Sequence, residues 1–203
     1  MRLLLVRHGE AESNRDLTHG TVGSDRPLTR EGIEQARVSA HFALGRWVVA
    51  RIVCSPKQRA QQTAEIFADA YHVDVSIDKR LDEVNKGDWT GRPVPEITHI
   101  EDAIPFADRP TFRPPGLGAE NWFDTGARVV SLAEELRYIE ADDTLLVTHI
   151  EPIRAGVGML LRTPADHWRD NDINNASFTQ LESKDDRWSL DPSQYNITPY
   201  KDS

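Results

Sequence analysis

The 203-residue sequence is poor in thiols, with one cysteine, Cys54, and it has no apolar run long enough to cross a bilayer. A lone thiol closes no internal disulfide and supplies no multi-thiolate metal site, which accords with a reducing compartment. The apolar run after Met1 stops at Arg7, so the start of the chain reads as neither signal peptide nor membrane span. The cytoplasm is the expected location. Positive charge is in the minority, with 24 lysines and arginines against 33 aspartates and glutamates and a formal net charge of -9. That field repels nucleic acid and anionic membranes, so no partner of either kind is expected and any anion site must be local. His19, His41, His72, His99 and His167 have no companions at metal-ligand spacing, and neither a metal nor another cofactor is expected.

What is present suits a globular enzyme. Hydrophobic residues make up 38% of the chain and charged residues 28%, enough for one domain with a full core over residues 1–203. The stretch Leu3 to Glu10, LLLVRHGE, is the most informative. Four apolar residues bounded by a charge are too short for a useful helix and right for a strand buried on both faces. The sequence then turns at Arg7-His8-Gly9, the place where an α/β sheet opens a crevice beyond its strand ends.

A helix follows from Thr29 as N-cap to Gly45, with Ile33, Ala36, Ala40, Ala43 and Leu44 on its apolar side. Val48 to Cys54 reads as the next strand. Ser55-Pro56 ends it and starts a helix from Lys57 to about Tyr71, with Arg59 in its first turn. Val73 to Ile77 alternates as a strand, and Leu81 to Gly91 reads as a loop. Six of the twelve prolines lie between Arg92 and Gly118, which predicts an irregular, semi-rigid insertion or lid near the site. Glu120 to Glu140 has helical periodicity. Thr144 to Thr148 is a second fully apolar strand, ending in His149, and Pro152 restarts a helix through Leu161. Ala176 to Leu181 and Trp188 to Leu190 read as closing antiparallel strands, and residues 192–203 as a loose tail.

This alternation predicts an α/β fold, a three-layer α/β/α sandwich with a mostly parallel central sheet. Its carboxyl edge gathers His8, Ser55 and His149, with Arg7 and Arg59 on two of the same loops. Two histidines at equivalent strand ends are hard to explain as packing. A histidine beside a permanent guanidinium charge is placed to meet an anion.

Five patterns stand in one order: Leu-Val-Arg-His-Gly-Glu at 5–10, Pro-Leu-Thr-x-x-Gly-x-x-Gln-Ala at 27–36, Ser-Pro-x-x-Arg-Ala-x-x-Thr-Ala at 55–64, Leu-x-Glu-x-x-x-Gly-x-Trp-x-Gly at 81–91, and Val-Thr-His at 147–149. Together they resemble the histidine phosphatase superfamily, the phosphoglycerate-mutase-like enzymes, over about residues 3–182. The resemblance implies that His8 carries the phosphoryl group as a phosphohistidine, that Arg7, Arg59 and His149 complete the phosphate pocket, and that Glu83 is the general acid. It also implies that Asn14 and, more softly, Thr21 contact substrate. No metal is required, since the arginines supply the positive charge.

Two positions depart from the family pattern. Ile150 stands where a glycine usually follows the second histidine, which predicts a narrower substrate pocket, and Thr90 replaces a frequent acidic residue. Lys86-Gly87, where the mutase branch typically has Tyr-Gly, favours a phosphomonoesterase acting on a small phosphorylated metabolite. A phosphoglycerate-type phosphomutase is the alternative, and a non-catalytic phosphate-binding regulatory relative the second. Trp122 and Phe123 either pack a helix start or line the substrate mouth. Arg109 and Arg113 are either solvated loop charges or contacts to a second anionic group. Self-association as a homodimer is left open by the sequence.

Overall fold

The computed structural model describes residues 1–15, 22–139, 143–168 and 172–200. In chain order, β1 (Arg2–Arg7) is followed by a single turn, α1 (Glu12–Arg15), and by α2 (Arg30–Leu44), β2 (Val49–Cys54), α3 (Gln58–Tyr71) and β3 (Val75–Ile77). Then come α4 (Val94–Asp102), α5 (Trp122–Arg137), β4 (Asp143–Thr148), α6 (Ile150–Leu160), β5 (Phe178–Lys184) and β6 (Arg187–Ser189). The six strands form one sheet in the order β3-β2-β4-β1-β5-β6. The pairs β3–β2, β2–β4 and β4–β1 are parallel, and β5 and β6 close the sheet antiparallel.

Successive side chains of a strand point to opposite faces, so the LLLV run of β1 serves two cores at once. Leu3 and Leu5 join Val129, Leu132, Ile153 and Val157 of α5 and α6 on one face. Leu4 and Val6 join Ala40, Ala43, Ala60, Ala64 and Phe67 of α2 and α3 on the other. The expected three-layer α/β/α sandwich is what forms. The small alanines let α2 and α3 lie close to the sheet, and Phe67 and Phe178 fill the space between at a ring separation of 5.8 Å.

Local chemistry sets the element ends. Thr29 caps α2 by accepting the Gly32 N–H at 3.0 Å. The start of α2 presses on the loop after β1, because a Cβ on Gly9 would meet the Gly32 carbonyl and one on Gly32 would meet that of Glu10. The β5–β6 hairpin turns through Asp185 and Asp186, both with positive φ (49° and 60°), the geometry that matches the twist of a tight two-residue turn. Among the described residues no helix is long and apolar enough to cross a membrane.

Two expectations are corrected. The proline-rich segment is not wholly irregular. It contains α4, with Pro93 as N-cap and Pro95 in the first turn, where a helix has no N–H bond to lose. Nor is the tail loose over residues 192–200. Ile197 and Phe178 exchange two backbone hydrogen bonds of 2.9 Å, and Tyr200 donates to the Asn175 carbonyl at 2.8 Å. The reason is that β6 covers only Glu182–Lys184 of β5, leaving the backbone at Phe178 to be paired by the returning chain.

Removing the chain from Asn196 onward is expected to destabilise the fold by at least about 2–4 kcal/mol, from five lost hydrogen bonds to Asn174, Asn175 and Phe178 and the lost packing of Ile197. Urea denaturation measures this, and an unchanged midpoint would contradict the anchored tail.

Candidate active site

β1 and β2 flank β4 in the sheet, so three parallel strands end side by side. β1 brings Arg7 and His8, the end of β2 brings Ser55, and the end of β4 brings His149. The chain beyond β3 adds Glu83. The His8 and His149 rings meet edge to face with centroids 5.1 Å apart. Both are buried, at 3% and 0% exposure, as is Arg59 at 6%.

His8 is held by both nitrogens. Arg59 Nε lies 3.1 Å from His8 Nε2, and the Gly9 carbonyl lies 2.7 Å from Nδ1. A guanidinium only donates and a carbonyl only accepts. The proton therefore sits on Nδ1, and Nε2 keeps its lone pair toward the arginine. Burial, then the charges of Arg59 and Arg7, push the His8 pKa well below the ordinary imidazole value of 6.5. The ring is neutral at physiological pH.

Arg59 reaches His8 from the first turn of α3. Its Nη1 donates to the Ser24 carbonyl at 3.2 Å and lies 3.6 Å from Asp25, which aims the fork. Thr63, one turn later, donates to the Arg59 carbonyl at 2.8 Å and accepts the Gly9 N–H at 3.1 Å, so the helix and the His8 loop are tied together. Arg7 donates from Nη1 to the Ile173 carbonyl at 2.6 Å, while its Nε is buried without a partner. Burial lowers its pKa and Glu83 opposes that. A guanidinium starts so high that it keeps its charge.

His149 Nε2 lies 2.7 Å from Ser55 Oγ, which accepts the Lys57 N–H at 3.2 Å. With the serine O–H donating to His149 Nε2, the ring carries its own proton on Nδ1, toward Glu83. That atom is buried with no hydrogen-bond partner, and Glu83 Oε2 stands beyond it at 3.7 Å. Burial also pushes the His149 pKa well below 6.5, with His8 and Arg59 adding to the fall. Two of the five unpartnered buried side-chain atoms among the described residues, Arg7 Nε and His149 Nδ1, thus belong to residues next to His8 in the chain or in ring contact with it. A buried donor without an acceptor is costly unless something else meets it.

Glu83 accepts the Val84 N–H at 3.0 Å through Oε1. Arg128 holds its backbone carbonyl at 3.2 Å. Its pKa is raised by burial, with Arg59 pulling it down only in part and Glu151 adding to the rise. It is therefore a carboxyl inclined to hold a proton.

The structure thus brings together Arg7, His8, Arg59, Glu83 and His149. Asn14 spends its side-chain oxygen on the Ala11 N–H at 2.9 Å, and Thr21 lies outside the described residues. Ile150, expected to narrow the pocket, is half-buried. It opens α6 and packs against the α5–α6 core, and the residue of this stretch that faces the adjoining cleft is Glu151. Trp122 lines the cleft, while Phe123 packs on Trp168 at 5.3 Å. Thr63 and Asn175 were missed as positioning groups. Thr63 stood four residues after Arg59 in the third motif, whereas Asn175, which donates to the His8 carbonyl at 3.0 Å, carried no sequence signal.

A neutral imidazole with guanidinium donors and a carboxyl of raised pKa in one buried place is chemistry suited to phosphoryl transfer. The family model described as histidine phosphatase superfamily (branch 1) matches residues 3–195. A glucosyl-3-phosphoglycerate phosphatase of Mycolicibacterium vanbaalenii is 33% identical over 190 residues, 89% of this chain and 83% of that one. A probable phosphoglycerate mutase of Enterobacter sp. (strain 638) is 32% identical over 195 residues, 93% and 87% of the two chains. The solved structure of a mycobacterial glucosyl-3-phosphoglycerate phosphatase with VO3 superposes with a TM-score of 0.82 at 31% identity, covering 97% of this chain and 98% of that one.

Replacing Ser55 by Ala frees the His149 tautomer, and the expected result is about tenfold weaker binding of inorganic phosphate, the scale on which a lost partner of a functional histidine is felt. Titration calorimetry on Ser55→Ala reads this, and wild-type affinity would contradict the assignment of the Nδ1 proton.

Proposed function

The chain belongs to the histidine phosphatase superfamily, and on that premise we propose that it is a phosphomonoesterase working through a phosphohistidine at His8 on a small phosphorylated metabolite in the cytoplasm. The observation that carries this reading is the buried His8 ring, its Nε2 3.1 Å from Arg59 Nε and its plane in edge-to-face contact with His149 at 5.1 Å.

In the first step His8 Nε2 forms a bond to phosphorus while the P–O bond to the leaving group breaks. Glu83 gives its proton to the departing oxygen. Arg7, Arg59 and His149 hold the equatorial oxygens, whose shared negative charge grows less costly in a buried ring of fixed donors. In the second step the Glu83 carboxylate takes a proton from water, whose oxygen attacks phosphorus. The N–P bond breaks, phosphate leaves, and His8 and Glu83 return to their starting forms. The arginines supply the positive charge, so this account gives a metal ion no step.

A phosphomutase is the second reading, supported by the likeness to the probable phosphoglycerate mutase of Enterobacter sp.. It hands the phosphoryl group back to a bound intermediate instead of water. Isomerisation of phosphoglycerate stimulated by a bisphosphorylated primer would favour it over hydrolysis.

The purified protein is expected to release phosphate from 4-nitrophenyl phosphate with a chelator present, and His8→Ala to lose at least about 10³-fold in kcat. Full activity in that variant would refute the reading. The pH profile follows from the two shifts. The pKa of His8 is depressed, so the nucleophile stays neutral below pH 6.5, and kcat/KM should hold on the acid side of that value. The pKa of Glu83 is raised above its ordinary 4.5, so kcat/KM should fall as pH rises through the raised value and the acid form is lost. Glu83→Gln should lack that alkaline limb and lose about 10²–10⁴-fold in kcat. An unaltered limb in the variant would remove Glu83 from the role.

A further inference from the structure

Beside the His8 centre lies a narrow, partly open cleft. Its wall contains Val84, the residue after Glu83, and Glu151, two residues after His149. The cleft therefore adjoins the part of the site where Glu83 and His149 lie. The wall carries two cations, Lys86 and Arg109, against three carboxylates, Glu101, Glu120 and Glu151.

Both cations are already engaged. Lys86 Nζ sits on Glu101 at 2.6 Å, and Arg109 donates to the Ile104 carbonyl at 3.1 Å with Asp102 at 3.8 Å. Glu120 is held by Arg128 at 2.8 Å. Glu151 is held more loosely, with Arg154 at 3.6 Å and its side chain 24% exposed. It is near enough to Glu83 to help keep that carboxyl in its acid form. An alcohol carrying a second anionic group would meet a carboxylate here and would have to break an existing ion pair to find a cation. An uncharged alcohol with hydroxyl groups finds carboxylate acceptors, together with the faces of Trp122 and of Phe112, which is itself stacked on Trp89 at 5.5 Å.

We propose that this cleft is the leaving-group site, that it takes an uncharged, hydroxyl-bearing alcohol and turns away one bearing a carboxylate or second phosphate, and that Glu151 sets the preference. The inference rests on the phosphomonoesterase reading. Glycerol 3-phosphate and 3-phosphoglycerate test it as a matched pair, since they share a three-carbon frame and differ by a hydroxymethyl group against a carboxylate. As competitors of 4-nitrophenyl phosphate hydrolysis by the full chain, the glycerol ester is expected to bind about tenfold or more tightly than the glycerate. Glu151→Gln should shrink that gap to about threefold or less, through tighter binding of the glycerate. Equal or tighter glycerate binding by the wild type, or no competition by either compound, overturns the proposal, and a gap unchanged in Glu151→Gln overturns the role of Glu151. Titration calorimetry with the same two compounds reads the preference even where the aryl phosphate is not turned over. Failure of the enzyme reading and failure of the cleft reading are thus separate results.

Discussion

The hydrogen bond between His8 Nδ1 and the Gly9 carbonyl, 2.7 Å long, is the constraint on which the rest of the site depends. It takes up the imidazole proton on the side away from Arg59 and leaves the other nitrogen with its lone pair. Without it the ring could turn or exchange its proton, and Arg59 Nε–H would face another N–H. The Gly9 carbonyl is itself held in place. The Gly9 N–H is bound by Thr63, the His8 carbonyl by Asn175, and the absence of a side chain at Gly9 lets α2 close against the loop. Sheet, helix packing and a single backbone carbonyl are thus links of one chain of support.

Electrostatics follows from where the sheet edge puts that ring. Burial first, and then the charges of the neighbouring guanidinium groups, hold both histidines in their neutral form. The result is a compact positive site in a chain whose net charge is -9. The opposing carboxyl, Glu83, is raised by its burial despite the nearby Arg59. The shifts of His8 and Glu83 thus run in opposite directions, one imidazole held neutral and one carboxyl made a weaker acid.

Much of this was legible in the sequence because it rests on short-range rules. The LLLV run had to be a strand buried on both sides, and the residues just past the apolar strands at 3–6 and 144–148 had to lie at the carboxyl edge. Those rules placed Arg7, His8 and His149. Arg59 and Glu83 came from ordered motifs, since neither its helix nor its loop says what it faces. What was not legible depends on tertiary partners. The prolines at 93 and 95 read as breakers until their place at a helix start is known, and the tail looked free because nothing in the sequence shows that the backbone at Phe178 lacks a strand partner. Ile150 was read by its position after His149. Its direction is set by the turn of α6, which packs it against the core and leaves Glu151 to face the cleft.

The charged side chains of Glu151 and Lys86 give the cleft beside the His8 centre its own balance of charge. Both halves of the account require His8 to offer Nε2. The direct measurement is the ¹⁵N NMR spectrum of the imidazole nitrogens at pH 7, with the His8 signals assigned by their loss in His8→Asn. The account predicts a protonated Nδ1 and an unprotonated Nε2, and a proton on Nε2, alone or in an imidazolium, would contradict it.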